Sequence, residues 1–114
     1  MKLNKILVRI LSICSLCFML CACGVKHEKV IGTWGGSYTY NGNEFTQIFV
    51  LDENFEYGKL TYKNGYLSGT EMGSYEIKGN KIELEANGKA GTTVYEYKNG
   101  KLYNNDHEFY MLED

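Results

Sequence analysis

Apolar and polar residues alternate along most of the chain after residue 30, and short turn motifs interrupt the alternation at regular intervals. Alternation with a period of two predicts β-strands that bury one face. The motifs suit the positive backbone angles of tight hairpin turns, and most lie about 8–12 residues apart, as in antiparallel sheets. They are Asn41-Gly42-Asn43, Asp52-Glu53-Asn54, Asn64-Gly65, Gly79-Asn80, Asn87-Gly88 and Asn99-Gly100.

The pattern therefore predicts an all-β domain, an antiparallel meander of about eight strands that follows an N-terminal signal helix. An open meander leaves two unpaired edges, so we expect an up-and-down barrel or a strongly curved sheet. Neighbouring short segments can merge into one strand. The predicted segments are Val30–Tyr40, Glu44–Leu51, Phe55–Lys63, Tyr66–Thr70, Gly73–Lys78, Lys81–Ala86, Thr92–Lys98, Lys101–Tyr103 and Glu108–Leu112.

The first twenty residues follow a different pattern. Met1–Arg9 carries three positive charges and no acidic residue, and the apolar run Ile10–Leu20 follows it. A basic start before an apolar run of roughly 7–15 residues is typical of a secretory signal peptide. The run is shorter than the roughly 20 residues that a membrane-spanning helix needs, so we interpret it as a signal peptide.

The segment Leu20-Cys21-Ala22-Cys23 resembles the bacterial lipobox, in which an apolar residue and two small residues precede a cysteine. The resemblance implies cleavage before Cys23 and a lipid on its thiol, with acyl chains such as palmitate. Two or more acyl chains hold a protein stably on a membrane. We therefore expect a lipoprotein of the cell envelope, on the extracytoplasmic face of the cell membrane. The alternative is ordinary secretion with a free Cys23.

These patterns divide the chain into a signal peptide (1–22), a lipidated cysteine with a short polar tether (23–29) and a barrel domain (30–114). Cleavage would remove three of the twelve basic residues and none of the fourteen acidic ones, so the mature chain is acidic. Arg9 is the only arginine. Because proteins that bind nucleic acids use arginines and a basic face, nucleic-acid binding is not expected.

Ile31-Gly32-Thr33-Trp34 opens the first predicted strand, and Gly73–Ile82 forms a later predicted hairpin. The first motif resembles the Gly-x-Trp start of lipocalins and of the shorter lipocalin-like domains of bacterial lipoproteins, and the second resembles the Gly-x-Tyr hairpin of those small domains. The resemblance implies a barrel that binds a small, apolar ligand, with the tryptophan closing one end. A departure is that no arginine follows Arg9 to pack on this tryptophan.

Trp34, Tyr75, Tyr95 and Tyr97 are the candidate residues for a ligand site or barrel end. The alternative for Trp34 is a core residue without a ligand role, because aromatic side chains dominate small cores.

A second group of tyrosines, Tyr38, Tyr57 and Tyr66, is a candidate contact surface for an envelope protein or a glycan. Tyrosines are enriched at interfaces, and the alternative role is cross-strand pairing on the outer face of the sheet. This second function, a structural or interaction module, remains open beside the ligand-binding one.

No enzymatic activity, cofactor or metal site is expected. The serines lack a catalytic partner motif, and no cysteine follows Cys23 to form a disulfide or a cysteine metal site. Asp106-His107-Glu108 has the composition of a turn before the last strand.

Overall fold

The alternating segments form eight antiparallel strands, and the predicted all-β, up-and-down fold is confirmed. The computed structural model describes residues 24–112, so the predicted signal peptide and Cys23 lie outside the described residues. Each strand pairs with its neighbour in sequence, and the first pairs with the last, which closes a barrel. The elements are α1 (His27–Val30), β1 (Gly32–Tyr40), β2 (Asn43–Leu51), β3 (Glu56–Lys63), β4 (Tyr66–Lys78), β5 (Lys81–Ala86), β6 (Thr93–Lys98), β7 (Lys101–Asn104) and β8 (His107–Leu112).

The fourth strand is longer than predicted. Tyr66–Thr70 and Gly73–Lys78 are parts of one strand, because Glu71 and Met72 between them stay paired with β3. Neither glutamate nor methionine is among the residue types that favour turns. Both Glu71 and Met72 therefore continue the hydrogen-bonded pairing with β3.

Closure of the barrel depends on close approach between the first and last strands. Residues Thr33–Gly35 pair with Tyr110–Leu112. The next residue, Gly36, lies so close to β8 that a Cβ atom would collide with the carbonyl oxygen of Glu108 and lie 2.8 Å from Cδ2 of Phe109. A glycine is needed at this position because the two backbones pack too tightly for any side chain.

Three of the hairpin turns have the predicted Asn-Gly geometry. Asn41-Gly42, Asn64-Gly65 and Asn99-Gly100 all have positive φ at both residues, between 52° and 87°. This is the type I′ turn, whose twist matches that of the strands it joins.

Consecutive strands run in opposite directions, so the turns alternate between the two ends of the barrel. One end carries α1 and the turns that follow β2, β4 and β6, and we call it the closed end. The other carries the turns that follow β1, β3, β5 and β7, and we call it the open end.

The core extends from the closed end to the middle of the barrel. Phe49, Tyr95 and Phe109 pack on one another with ring centroids 5.0–5.6 Å apart. Burial of side chains of this size stabilises the fold by about 1.5–3 kcal/mol each. The protein's own side chains therefore fill this half of the interior. The buried hydrophobic residues of the core are Val30, Trp34, Phe49, Leu51, Tyr57, Tyr75, Ile82, Leu84, Tyr95, Leu102 and Phe109.

The segment predicted as a polar tether packs against the closed end, which corrects that prediction. The Val25 amide donates a 2.9 Å hydrogen bond to the Gly79 carbonyl oxygen, and Val25 packs on the core. Val30 is fully buried at the end of α1, and its carbonyl oxygen accepts a 2.9 Å hydrogen bond from Nε1 of Trp34. The first strand consequently begins at Gly32, two residues later than predicted.

Candidate functional site

The inner wall of the barrel changes from apolar to polar towards the open end. In β2 and β3 the inward-facing pair Phe49 and Lys59 lies beside the pair Gln47 and Thr61. The Lys59 side chain is only 10% exposed, so it lies within the barrel. The inward positions of the open half are Tyr38, Phe45, Gln47, Lys59, Thr61, Glu71, Asn104 and His107.

A charged network occupies the centre of this polar half. Glu71 on β4 lies opposite Lys59 on β3, and the Lys59 Nζ is 3.6 Å from its Oε2. The hydroxyl of Tyr57 donates a 2.6 Å hydrogen bond to the same oxygen. The exposed Lys89, on the loop between β5 and β6, reaches the other carboxylate oxygen at 3.9 Å. Adjacent strands therefore bring together groups of opposite charge inside the barrel.

The network favours an ionised Glu71. Burial alone would raise the pKa of its carboxyl group, but the hydrogen bond from Tyr57 and the charges of Lys59 and Lys89 outweigh burial and lower it. Burial and the hydrogen bond to Glu71 raise the pKa of the Tyr57 hydroxyl, which remains a neutral donor. The charge of the carboxylate is thus compensated by three neighbouring groups, although the Glu71 side chain keeps 22% of its surface exposed.

Tyr57 was predicted to lie on the surface, and this prediction is wrong. Its side chain is 4% exposed, because the strand alternation directs Tyr57 inward while Glu56 and Gly58 face outward. Of the other two predicted surface tyrosines, Tyr66 is 80% exposed and Tyr38 is half-buried.

Tyr38 belongs to an aromatic group at the open end. Its ring stacks on the imidazole of His107 with centroids 4.1 Å apart and nearly parallel planes, and on Phe45 at 5.4 Å. This stack spans the first, second and last strands. His107 lies in strand β8 rather than in the turn that the sequence predicts before that strand.

The candidate ligand residues of the closed half are packed among core side chains. Trp34, Tyr75 and Tyr95 are almost fully buried, and Tyr97 is half-buried against the core. The Tyr75 hydroxyl donates a 2.6 Å hydrogen bond to the Asp52 carbonyl oxygen, and burial together with the Asp52 charge raises its pKa to about 12. The geometry of Trp34 matches the core role that the sequence left open.

The closed end is held by a second aromatic contact. The imidazole of His27 stacks on Phe55 at 3.9 Å, and its Nε2 lies 2.7 Å from the Tyr75 hydroxyl. Phe55 was predicted to begin a strand, but it lies in the turn between β2 and β3 with φ of 62°. These contacts fix α1 across the end of the barrel.

A small cavity of about 160 Å³ adjoins the charged network. Glu71, Lys89 and Thr93 line it together with Leu84, Ala86 and the loop residues 90–92. This loop, at the open end, joins β5 to β6 and has a positive φ at both Gly88 and Gly91. The cavity connects the carboxylate of Glu71 with the rim of the open end, where a small ligand group could enter.

Sequence reasoning missed Lys59 and Glu71 because it assigned charged residues to solvent. The signal was available in β3, where Tyr57, Lys59 and Thr61 share one phase of the alternation. Glu71 lies between the two segments that the sequence predicts in place of β4, so the alternation did not show whether its side chain faces inward or outward. Pairing of the two strands, rather than either strand alone, brings the charges together.

Comparison with known proteins gives no match: no family model fits the sequence, and no significant match was found among curated proteins or solved structures. Within residues 24–112, no helix has the length and hydropathy needed to span a membrane. The same residues contain no group of three or more histidine, cysteine, aspartate or glutamate side chains placed to hold a metal ion.

Proposed function

We propose that this protein is a membrane-anchored lipoprotein whose barrel binds a small molecule at its open end and has no enzymatic activity. The anchor is a lipid on Cys23, supported by the basic start, the apolar run and Leu20-Cys21-Ala22-Cys23. The barrel is the binding module, exposed on the extracytoplasmic face of the cell membrane.

The observation that carries the binding role is the contact between Lys59 and Glu71 inside the barrel, where the two side chains are only 10% and 22% exposed. Taking two charges out of water costs several kcal/mol per ion, and a well-packed apolar pair is often as stable or more stable. The other half of the same interior is apolar, so this barrel can be filled without charges. Buried groups with altered pKa values cluster at functional sites, and Glu71 and Tyr57 are such groups.

The geometry changes the ligand class that the sequence favoured. Core side chains fill the apolar half of the barrel, so no apolar cavity remains there for an apolar ligand. The open half offers the ammonium group of Lys59, the carboxylate of Glu71 and the flat stack of Tyr38 on His107. The ligand we propose is therefore small and polar, with an anionic group for Lys59 and a flat part for the aromatic stack.

Native mass spectrometry of the mature lipoprotein in detergent, incubated with small polar metabolites from cells that produce it, tests this proposal. We expect a discrete added mass on the wild type and on Lys81→Met, whose lysine is exposed at the closed end. Lys59→Met should lose that mass because it removes the buried cation. An added mass that survives in Lys59→Met, or none on any variant, would contradict the proposal.

A second candidate function is an interaction module that contacts an envelope protein or glycan at the open end. The observation in its favour is a group of exposed apolar side chains there: Tyr40 is 63%, Tyr66 80% and Leu67 55% exposed. If this surface binds a partner, Tyr66→Ser with Leu67→Ser should abolish crosslinking to it in intact cells. Val94→Ser is the matched control, because it also replaces an exposed apolar side chain. It should leave crosslinking unchanged.

A further inference from the structure

The outer wall of the barrel has an uncharged face over five neighbouring strands. Strand pairing aligns its outward residues in two rows, and no position in either row is charged. Its most exposed members are Met72 at 69%, Tyr110 at 47% and Val50 at 45%. We call this surface the apolar face. Its rows are Leu112, Thr33, Val50, Gly58 and Met72, and beside them Tyr110, Gly35, Ile48, Leu60 and Thr70.

The wall formed by the end of β4 with β5 and β6 is different. Most outward positions there are charged, and Lys78 forms ion pairs of 3.3 and 3.6 Å with Glu83 and Glu76. Glu85 and Glu96 are exposed on the same wall. The barrel is therefore amphipathic about its own axis, and one side is suited to a less polar environment than water.

The apolar face lies near the closed end, where the chain enters the barrel. Its first row comes from the start of β1, the end of β2 and the end of β8, and the exposed Ile31 extends it. Gly24 packs on Gly79 at this end. A Cβ atom added to Gly24 would lie 3.5 Å from the Gly79 carbonyl oxygen. Cys23 directly precedes Gly24 in the sequence, so the proposed lipid is attached one residue before the part of the chain that packs on the barrel.

We infer that the barrel lies on the bilayer, closed end first and tilted so that the apolar face enters the lipid–water interface. This inference rests on the proposed lipid at Cys23. The lipid holds the closed end at the bilayer, and the apolar side chains there can then be buried to a depth of about 5–10 Å, as in interfacial helices. The open end, with Lys59 and Glu71, is directed away from the lipid, where its ligand can reach it.

A second copy of the chain fits this face less well than lipid does. Five strands about 4.8 Å apart and two outward rows give an area of about 300 Å², whereas a stable protein interface buries roughly 800 Å² on each partner. A lipid surface requires no such area, since the acyl chains on Cys23 supply most of the affinity.

The chain allows a direct test because it has no cysteine after Cys23, whose thiol the lipid would block. A single cysteine, introduced as Met72→Cys on the apolar face or Glu85→Cys on the charged wall, can carry an environment-sensitive fluorophore. Both residues are exposed, and Glu85 pairs with Ser74, the next outward residue of β4 after Met72, so the two labels lie at nearly the same height on the barrel. The labelled lipoproteins are reconstituted into phosphatidylcholine vesicles, with spin-labelled lipid as the quencher in the bilayer and iodide as the quencher in water.

At Met72→Cys we expect blue-shifted emission, quenching by the spin-labelled lipid and roughly threefold weaker quenching by iodide than at Glu85→Cys. Equal access of iodide to both labels on a lipidated protein would overturn this inference alone. Shielding of the Met72 label that depends on protein concentration in detergent, without vesicles, would also overturn it, in favour of a second copy. A mature chain whose mass shows no lipid on Cys23 would overturn the anchor and this inference together.

Discussion

The Tyr57 hydroxyl donates a 2.6 Å hydrogen bond to Oε2 of Glu71, and both side chains lie within the barrel. Tyr57 is at the boundary between the apolar core and the polar half, so its ring packs with the core while its hydroxyl compensates a charge. A phenylalanine would keep the ring packing and lose the compensation. The relationship therefore connects the stability of the core with the electrostatics of the candidate site.

Tyr57→Phe should destabilise the fold by about 1.5–3 kcal/mol, the contribution typical of a hydrogen bond to a charged group. Urea unfolding followed by the fluorescence of Trp34, the only tryptophan, measures the free energy of unfolding. The control is Tyr66→Phe, which removes a hydroxyl from an 80% exposed ring and should change stability by less than about 0.5 kcal/mol. Equal stability of the two variants would mean that the hydrogen bond contributes nothing.

Stability should fall in acid, and Glu71 should account for part of the loss. The pKa of Glu71 is lower in the folded state than the 4.5 of a free side chain. Its stabilising contribution is therefore complete above pH 4.5 and is lost as the pH falls through the folded pKa. Urea unfolding at successive pH values from about 6 to 2 should show a shallower decline in Glu71→Gln than in the wild type. A substitution at the exposed Glu85, Glu85→Gln, should preserve the wild-type slope.

Stability should also fall in alkali, because burial in the folded state raises the pKa of three tyrosines. Burial raises the pKa of Tyr57, Tyr75 and Tyr95, and that of Tyr75 reaches about 12 against 10.0 in a free side chain. The folded state holds these protons after the unfolded chain has lost them, so stability decreases as the pH rises above 10. The tyrosinate absorbance of these three residues should therefore appear together with the loss of β-sheet circular dichroism. Tyrosinate formation by all ten tyrosines before any unfolding would contradict this prediction.

The fold could be predicted from the sequence because its signals are local. Asn41-Gly42, Asn64-Gly65 and Asn99-Gly100 specify type I′ turns from two residues each, and the alternation between them specifies strands. Closure was predicted only as one of two outcomes. It depends on the approach of Gly36 to β8, and this contact joins positions about seventy residues apart in the chain.

The candidate site could not be predicted in the same way because it depends on pairing. Lys59 and Glu71 meet only because the β3–β4 register places them opposite each other, with a shift between Thr61 and Tyr62. The number of tyrosines predicts that some lie on the surface, but only the phase of β3 shows that Tyr57 is directed inward. The packing of Val25–Val30 against the closed end could not be predicted, because the four residues of α1 are too few to show a helical pattern in the sequence.

Two glycines in the barrel wall should respond in opposite ways to alanine. A Cβ at Gly73 would collide with the Glu85 carbonyl oxygen and lie 2.9 Å from the Cα of Ala86, both on the adjacent strand β5. Gly73→Ala must separate two paired backbones, and we expect a loss of more than about 2 kcal/mol, as for other steric overpacking. A Cβ at Gly58 would meet nothing within 4 Å. Gly58→Ala should therefore stabilise the fold by about 0.4–1 kcal/mol through the unfolded state, as thermal and urea unfolding would show.

A double-mutant cycle on Lys59 and Glu71 should separate stability from binding. Glu71→Leu leaves the buried Lys59 without its carboxylate and should cost about 3 kcal/mol. Lys59→Met should cost less, about 1–2 kcal/mol, because Tyr57 and Lys89 still compensate Glu71. The double variant Lys59→Met with Glu71→Leu should recover to within about 1 kcal/mol of the wild type, since no uncompensated charge remains.

Ligand binding should not recover with stability in that double variant. If the charged pair exists to bind a ligand, the folded and stable double variant still lacks the cation and the carboxylate, and its native mass spectrum should show no added mass. If the pair is structural only, the double variant should bind whatever the wild type binds. Stability and binding are measured on the same four proteins, so the two roles of Lys59 and Glu71 can be distinguished by whether the two quantities change together.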